Sequence, residues 1–152
     1  MKIETFESVR IAYLRRTGRY GAGNRQLMEA LKSRLREMEL FDADTTILGI
    51  ALDDPARTPA DQQRYDVGEV LTSPAEPYGL PVRAIDDGRY AVFEVPHTEE
   101  GILHFWRNLQ ELTAGLPLDP TRPVLERYAA QKVSAHRCEF CVPLRDRGTD
   151  TP

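Results

Sequence analysis

A chain of 152 residues with 41% hydrophobic and 29% charged residues is long enough to build its own core and too apolar for a disordered segment. Its net charge of −4, with arginines scattered among acids, argues against direct nucleic-acid binding, which uses clustered cations to displace counterions from phosphate. No apolar run approaches the roughly 20 residues needed to cross a bilayer, so no membrane partner is expected.

The N-terminal "MKIETFESVR" lacks the apolar core of a signal peptide, and cytoplasmic residence is the reading that follows. "RIAYLRRTGRYG" from Arg10 is a short strand running into a polar turn. In "NRQLMEALKSRLREMEL" from Asn24, Leu27, Leu31, Leu35 and Met38 recur on one helical stripe. "TTILGIALDDP" from Thr45 and "RYDVGEVL" from Arg64 are strands. "TSPAEPYGLP" from Thr72 concentrates Pro and Gly and marks a linker at about 73–80, between a first half of about 1–72 and a second of about 81–146. "VRAIDDGRYAV" from Val82 reads as two short strands around an Asp-Gly turn, a hairpin signal. A second amphipathic helix, "EGILHFWRNLQELTAGL" from Glu100, aligns Ile102, Leu103, Trp106, Leu109 and Leu112, and the strands "RPVLERYAAQK" from Arg122 and "RCEFCVPL" from Arg137 follow.

The two halves carry the same elements in the same order. Ala12 in the first strand matches Ala91, and "RYDVGEVL" matches "RCEFCVPL" from the shared arginine onward. The expectation is an α+β fold in one domain, 1–152: a tandem duplication of a β-α-β-β unit, with antiparallel sheets, two helices and a central cleft where the halves meet. Clefts of that kind are common ligand sites.

Two features carry the candidate chemistry. Cys138 and Cys141 form a CxxC pair, but a strand places them on opposite sides, and His97, His104 and His136 have no metal-ligand spacing; no metal and no cofactor are expected. Glu126 lies at the centre of "RPVLERYA", where alternation puts it on one strand face with Tyr128 and puts Leu125 and Arg127 on the other. It is either a solvated acid paired with an arginine or the polar floor of a binding site.

The stretches "ALDDPARTPADQQRYDVGEVL" from Ala51, "DDGRYAVFEV" from Asp86 and "RPVLERY" from Arg122 together resemble the GyrI-like effector-binding domains, some of which are sensor domains of AraC-type and MerR-type multidrug regulators. The resemblance covers nearly the whole chain. It implies two β-α-β-β repeats whose groove takes up amphipathic, often cationic, small molecules over a glutamate that matches Glu126. A carboxylate in an apolar cleft favours a ligand bearing positive charge or a hydrogen-bond donor, and aromatic walls add cation–π attraction. Trp106, Tyr13 and Tyr90 are the candidate walls, although core packing is the stronger reading of Trp106. Two departures stand out: Ala51 and Leu52 replace an aromatic pair, and Arg127 stands where an apolar residue is usual. With no helix-turn-helix segment in the sequence, the chain is expected to resemble the stand-alone members. The resemblance further implies that DNA gyrase is the partner of some members, and that others hydrolyse cyclopropanoid DNA-alkylating compounds, a reaction in which Glu126 would act as general base.

Overall fold

The computed structural model describes residues 1–72 and 79–146. Most of the linker expected at about 73–80 therefore lies outside the described residues. The first half comprises β1 (Lys2–Phe6), β2 (Arg10–Thr17), α1 (Ala22–Glu37), β3 (Thr46–Ala51) and β4 (Arg64–Val70). The second comprises β5 (Val82–Ala84), β6 (Gly88–Pro96), α2 (Glu99–Arg107), α3 (Leu109–Leu112), β7 (Leu125–Ala129), α4 (Ala130–Ser134) and β8 (Arg137–Pro143). The strands make one curled antiparallel sheet, in the order β1-β6-β8-β7-β3-β4-β2-β5, rather than separate sheets.

The duplication is written into the strand register. Ala12 pairs with Glu69 in the first half and Ala91 with Val142 in the second, the same ladder position in both copies. Gly49 pairs with Val67 as Glu126 pairs with Phe140, so Gly49 and Glu126 are equivalent residues. They also pair with each other across the β3–β7 junction. An approximate two-fold axis thus passes between a glycine and a glutamate.

The expected hairpin at "VRAIDDGRYAV" does not form. Both sides of β6 are taken, by β1 and β8, and β5 instead pairs with β2 at the far edge. The Asp-Gly segment is tied to other parts of the chain: Ser8 N–H donates to the Asp87 carboxylate at 2.9 Å, and Arg122 donates to the Asp87 carbonyl at 3.1 Å. β1 makes the reciprocal crossing, pairing with β6 rather than with its neighbour β2. Each copy therefore lends its leading strand to the other, and the true unit is β-β-α-β-β.

The second helix also departs from expectation, since its single apolar stripe is broken at Asn108. The side-chain amide of Asn108 donates to the His104 carbonyl at 2.8 Å, a local side-chain bond that competes with continuation of the helix. Its start is capped by Thr98, whose hydroxyl accepts from Gly101 N–H at 3.0 Å. α1 ends in a left-handed Glu39 (φ 57°), with Leu40 N–H reaching back to the Leu35 carbonyl, the pattern of a Schellman closure.

The sheet face away from the helices carries a core of Phe6, Ile11, Leu48, Ile50, Tyr90, Leu125 and Cys141. Two charged triads accompany it. In the first half Asp66, fully buried, is held by Arg15 at 2.6 Å and by Arg83 of β5 at 2.8 Å. In the second half Arg127 is held by Glu139 at 2.9 Å and by Glu4 of β1 at 2.7 Å. Arg127 is thus the anchor of an exchanged edge strand, which accounts for a charge where the resemblance predicted an apolar residue. Its guanidinium holds the Glu4 carboxyl at about 2, well below the ordinary 4.5. Cys138 and Cys141 are both buried free thiols, raised by burial to about 11 and about 12.

Arg127→Ala leaves the buried Glu139 carboxylate without its cation. The expected loss is about 3–5 kcal/mol of stability, read as a lowered urea midpoint, with Arg127→Lys losing less.

Candidate ligand-binding cleft

Helices α1 and α2 lie on the same face of the sheet but over different strands. Leu31 and Leu35 of α1 pack on Ala12, Ile47, Tyr65 and Val67, whereas Phe105 of α2 packs on Ala91, Phe93, Phe140 and Val142. β7, which meets β3 at the junction of the halves, contributes no buried residue to either cluster. A cleft of about 770 Å³ opens there, within the range of small-molecule sites. Met28 and Lys32 of α1 stand on one side, Ile102 of α2 and His97 on another, and Ile47, Tyr65, Glu126 and Tyr128 line the sheet side. Across it the exposed side chains of Arg25 and Glu99 meet at 3.1 Å and bridge the helices.

Glu126 reaches the cleft because of strand alternation on β7, and it fits because its partner across the junction has no side chain. A Cβ on Gly49 would lie 2.8 Å from Glu126 Oε1 and would collide with the Tyr65 hydroxyl. Oε1 accepts from Tyr65 at 2.8 Å and from Tyr128 at 2.7 Å. Among the described residues no group engages Oε2. Burial pushes the Glu126 carboxyl above the usual carboxylate range, against the two hydroxyls, which favour its ionised form. Burial, with Glu126 next in effect, also raises both tyrosines, so they remain donors. The contrast with Asp66, Glu139 and Glu4 is plain: each of those acids has an arginine, and Glu126 has only neutral donors. A carboxylate so held is a preset acceptor for an incoming cation or N–H group.

His97 sits beside this group, its ring 5.5 Å from that of Tyr128 and nearly perpendicular to it. Burial, aided by the charge of Lys32, lowers its pKa and favours the neutral ring. Its Nδ1 is buried without a partner among the described residues.

The other predicted wall residues are placed elsewhere. Tyr13 and Tyr90 belong to the opposite sheet face, because Ala12 and Ala91 beside them point to the helices. Their rings are already covered by Arg15 and Arg122, at 5.6 and 4.9 Å. Trp106 shares the helix face but packs edge-on against Phe105 and Phe140, at 5.4 and 5.3 Å, and is not part of the cleft wall. Tyr65, His97 and Gly49 were not predicted. The repeat alignment carries the signal for Gly49, since it sets that residue against Glu126; Tyr65 and His97 depend on pairings between distant strands.

A duplicated α+β fold with an acid-floored cleft between its copies defines a small-molecule-binding domain. The profile of the GyrI-like small molecule binding domain matches residues 1–145, and the chain belongs to that family. It is 38% identical over 151 residues to the SPbeta prophage-derived protein YosT of Bacillus subtilis (strain 168), named as a candidate transcriptional regulator, covering 94% of this chain and 97% of that one. Among solved structures, SAV2435 bound to tetraphenylphosphonium has a TM-score of 0.64 at 14% identity, covering 98% of this chain and 96% of that one. The EcmrR C-terminal domain has a TM-score of 0.66 at 9% identity, covering 95% and 96%. No helix among the described residues is long and apolar enough to cross a membrane.

Two outcomes test the site. Gly49→Ala is expected to displace Tyr65 and Glu126 from each other, lowering both the melting temperature and affinity for cleft ligands. Glu126→Gln keeps the shape and removes the charge. Below the ordinary carboxyl pKa, near 4.5, the group is protonated in both folded and unfolded states. Between that value and the raised folded one, the folded state keeps a proton that the unfolded chain has lost, so stability falls as pH rises. Wild type is therefore expected to lose stability relative to Glu126→Gln across that window and to run parallel to it elsewhere, in melting curves taken at successive pH values.

Proposed function

We propose that the protein binds amphipathic small molecules that are cationic or carry an N–H donor, in the cleft between its two copies and in the cytoplasm, so as to sequester or sense them. The observation that supports this reading is Glu126: a carboxylate in the cleft with two tyrosine donors on one oxygen and, among the described residues, an open second oxygen and no cation beside it. A ligand's positive charge would supply the missing partner, while Ile47, Met28 and Ile102 offer its apolar body a surface. The capture of tetraphenylphosphonium by SAV2435 lends support by analogy of fold.

Hydrolysis of a cyclopropanoid compound is the second reading. It is favoured by the open Oε2 of an acid whose pKa is raised by burial, since raising the pKa makes the ionised carboxylate a stronger base toward a water proton.

Glu126→Gln separates the two. Under the binding proposal the variant loses about 1–3 kcal/mol of affinity for a cationic dye, the scale of a charged hydrogen-bond partner, and loses less for a neutral analogue. Wild-type affinity for the cation rises with pH through the Glu126 transition, and the variant's does not. Equal affinities for every cationic dye would sink the proposal. Unchanged binding of a cyclopropanoid substrate with loss of its turnover would establish the hydrolase instead.

A further inference from the structure

The wall of the cleft formed by α1 differs in kind from the rest of it. Arg25, Glu29, Lys32 and Arg36 recur along one stripe of the helix and all face the cavity. Exposed basic residues on a helix are ordinarily solvated or paired, and two of the four cations of α1 are engaged by strong partners: Arg25 meets Glu99, and Arg34 donates to the Gly79 carbonyl at 3.2 Å. Arg36 is different. Among the described residues it has no acidic partner, and its guanidinium lies over the Phe41 ring at 5.0 Å, which fixes its direction without neutralising it. Lys32, one turn away, is half-buried and meets Glu29 only at 3.7 Å, longer than a good charged hydrogen bond. Its charge is felt at His97, whose ring stands edge-on to that of Tyr128, itself bonded to Glu126.

We infer that Lys32 and Arg36 form an anion subsite in the same cleft, so that the ligand is amphoteric: an aromatic or apolar body with a cation or N–H donor for Glu126 and a carboxylate, sulfonate or phosphate for α1. This rests on the cleft reading above and narrows its ligand class. The floor then acts on the positive end and the helix wall on the negative end, and a purely cationic ligand uses half of the site.

Rhodamine B and its ethyl ester test this, because they share a cationic aromatic body and differ in whether the carboxyl group is ionised. In fluorescence anisotropy titrations at low salt, wild type is expected to bind rhodamine B about threefold to tenfold more tightly than the ester, the range between an exposed ion pair and a charge-assisted hydrogen bond. That preference is expected to shrink with added sodium chloride. In Lys32→Gln/Arg36→Gln the ratio of the two affinities is expected to fall to about one. Arg36→Gln alone, at an exposed helix position, is expected to lose part of it. Glu126→Gln should weaken both dyes and keep the ratio. Equal binding of acid and ester by wild type, or a preference that survives the double substitution, would overturn the anion subsite while leaving the cleft reading in place. Binding of neither dye by folded protein would overturn both.

Discussion

The pairing of Gly49 with Glu126 at the junction of the halves is the constraint on which the site depends. Antiparallel partners on neighbouring strands project their side chains to the same face within about 5 Å of each other. Two large side chains there would fill the space over β3 and β7. With hydrogen on one side, the other strand's carboxylate and the Tyr65 hydroxyl from β4 occupy the same small volume. The strict symmetry of the duplication is broken at its axis, and the asymmetry makes room for a carboxylate that two identical large residues would have to exclude.

Asp66, Glu139 and Glu4 are each neutralised by an arginine, and the manner of it explains why the two faces of the sheet have different roles. Asp66 sits between Arg15 and Arg83; its equivalent in the other copy, Glu139, is bound by Arg127, which also holds Glu4. The charges on the exchanged leading strands, Arg83 and Glu4, are opposite in sign, but in both copies that charge is bound to a charge on the copy that receives it. These pairs hold the edges of the sheet on the face opposite the cleft. On the cleft face, by contrast, an acid is left with hydroxyl donors alone, an arrangement that opposes folding at neutral pH and is relieved by a bound cation.

The periodic part of this structure was legible in the sequence, and the part set by long-range pairing was not. Helix α1, the six strands of the two repeat units and the duplication follow from alternation and helical spacing, which are local. The same alternation, with the motif resemblance, singled out Glu126 and set Tyr128 beside it. It also contained the grounds for separating Tyr13 and Tyr90 from Glu126, because Ala12 and Ala91 face the helices, but that step requires knowing which sheet face the helices cover. The exchanged strands β1 and β5 are short, five and three residues, and their partners are chosen by free edges elsewhere in the sheet. An Asp-Gly turn signal cannot report that β6 is already paired on both sides. The break at Asn108 was missed for the opposite reason: the apolar stripe runs on through α3, while a single amide side chain diverts the backbone.

The two helical walls show how a duplicated scaffold acquires directional chemistry. α1 has 16 residues and α2 has 9, so at about 1.5 Å per residue one wall is about 24 Å long and the other about 14 Å. α2 meets the cleft mainly through its first turn, with Glu99 and Ile102. α1 continues for three more turns after Arg25 and presents Lys32 and Arg36 to the cavity, with Leu31 and Leu35 holding its other side to the sheet. The anchoring leucines and the cleft-facing cations occupy different stripes of one helix. Charge on this wall can therefore change without disturbing the packing that positions it, whereas the glutamate on the floor cannot move without Gly49 and both tyrosines. The fold thus keeps the acid end of the cleft fixed and leaves the basic end free to vary with the ligand.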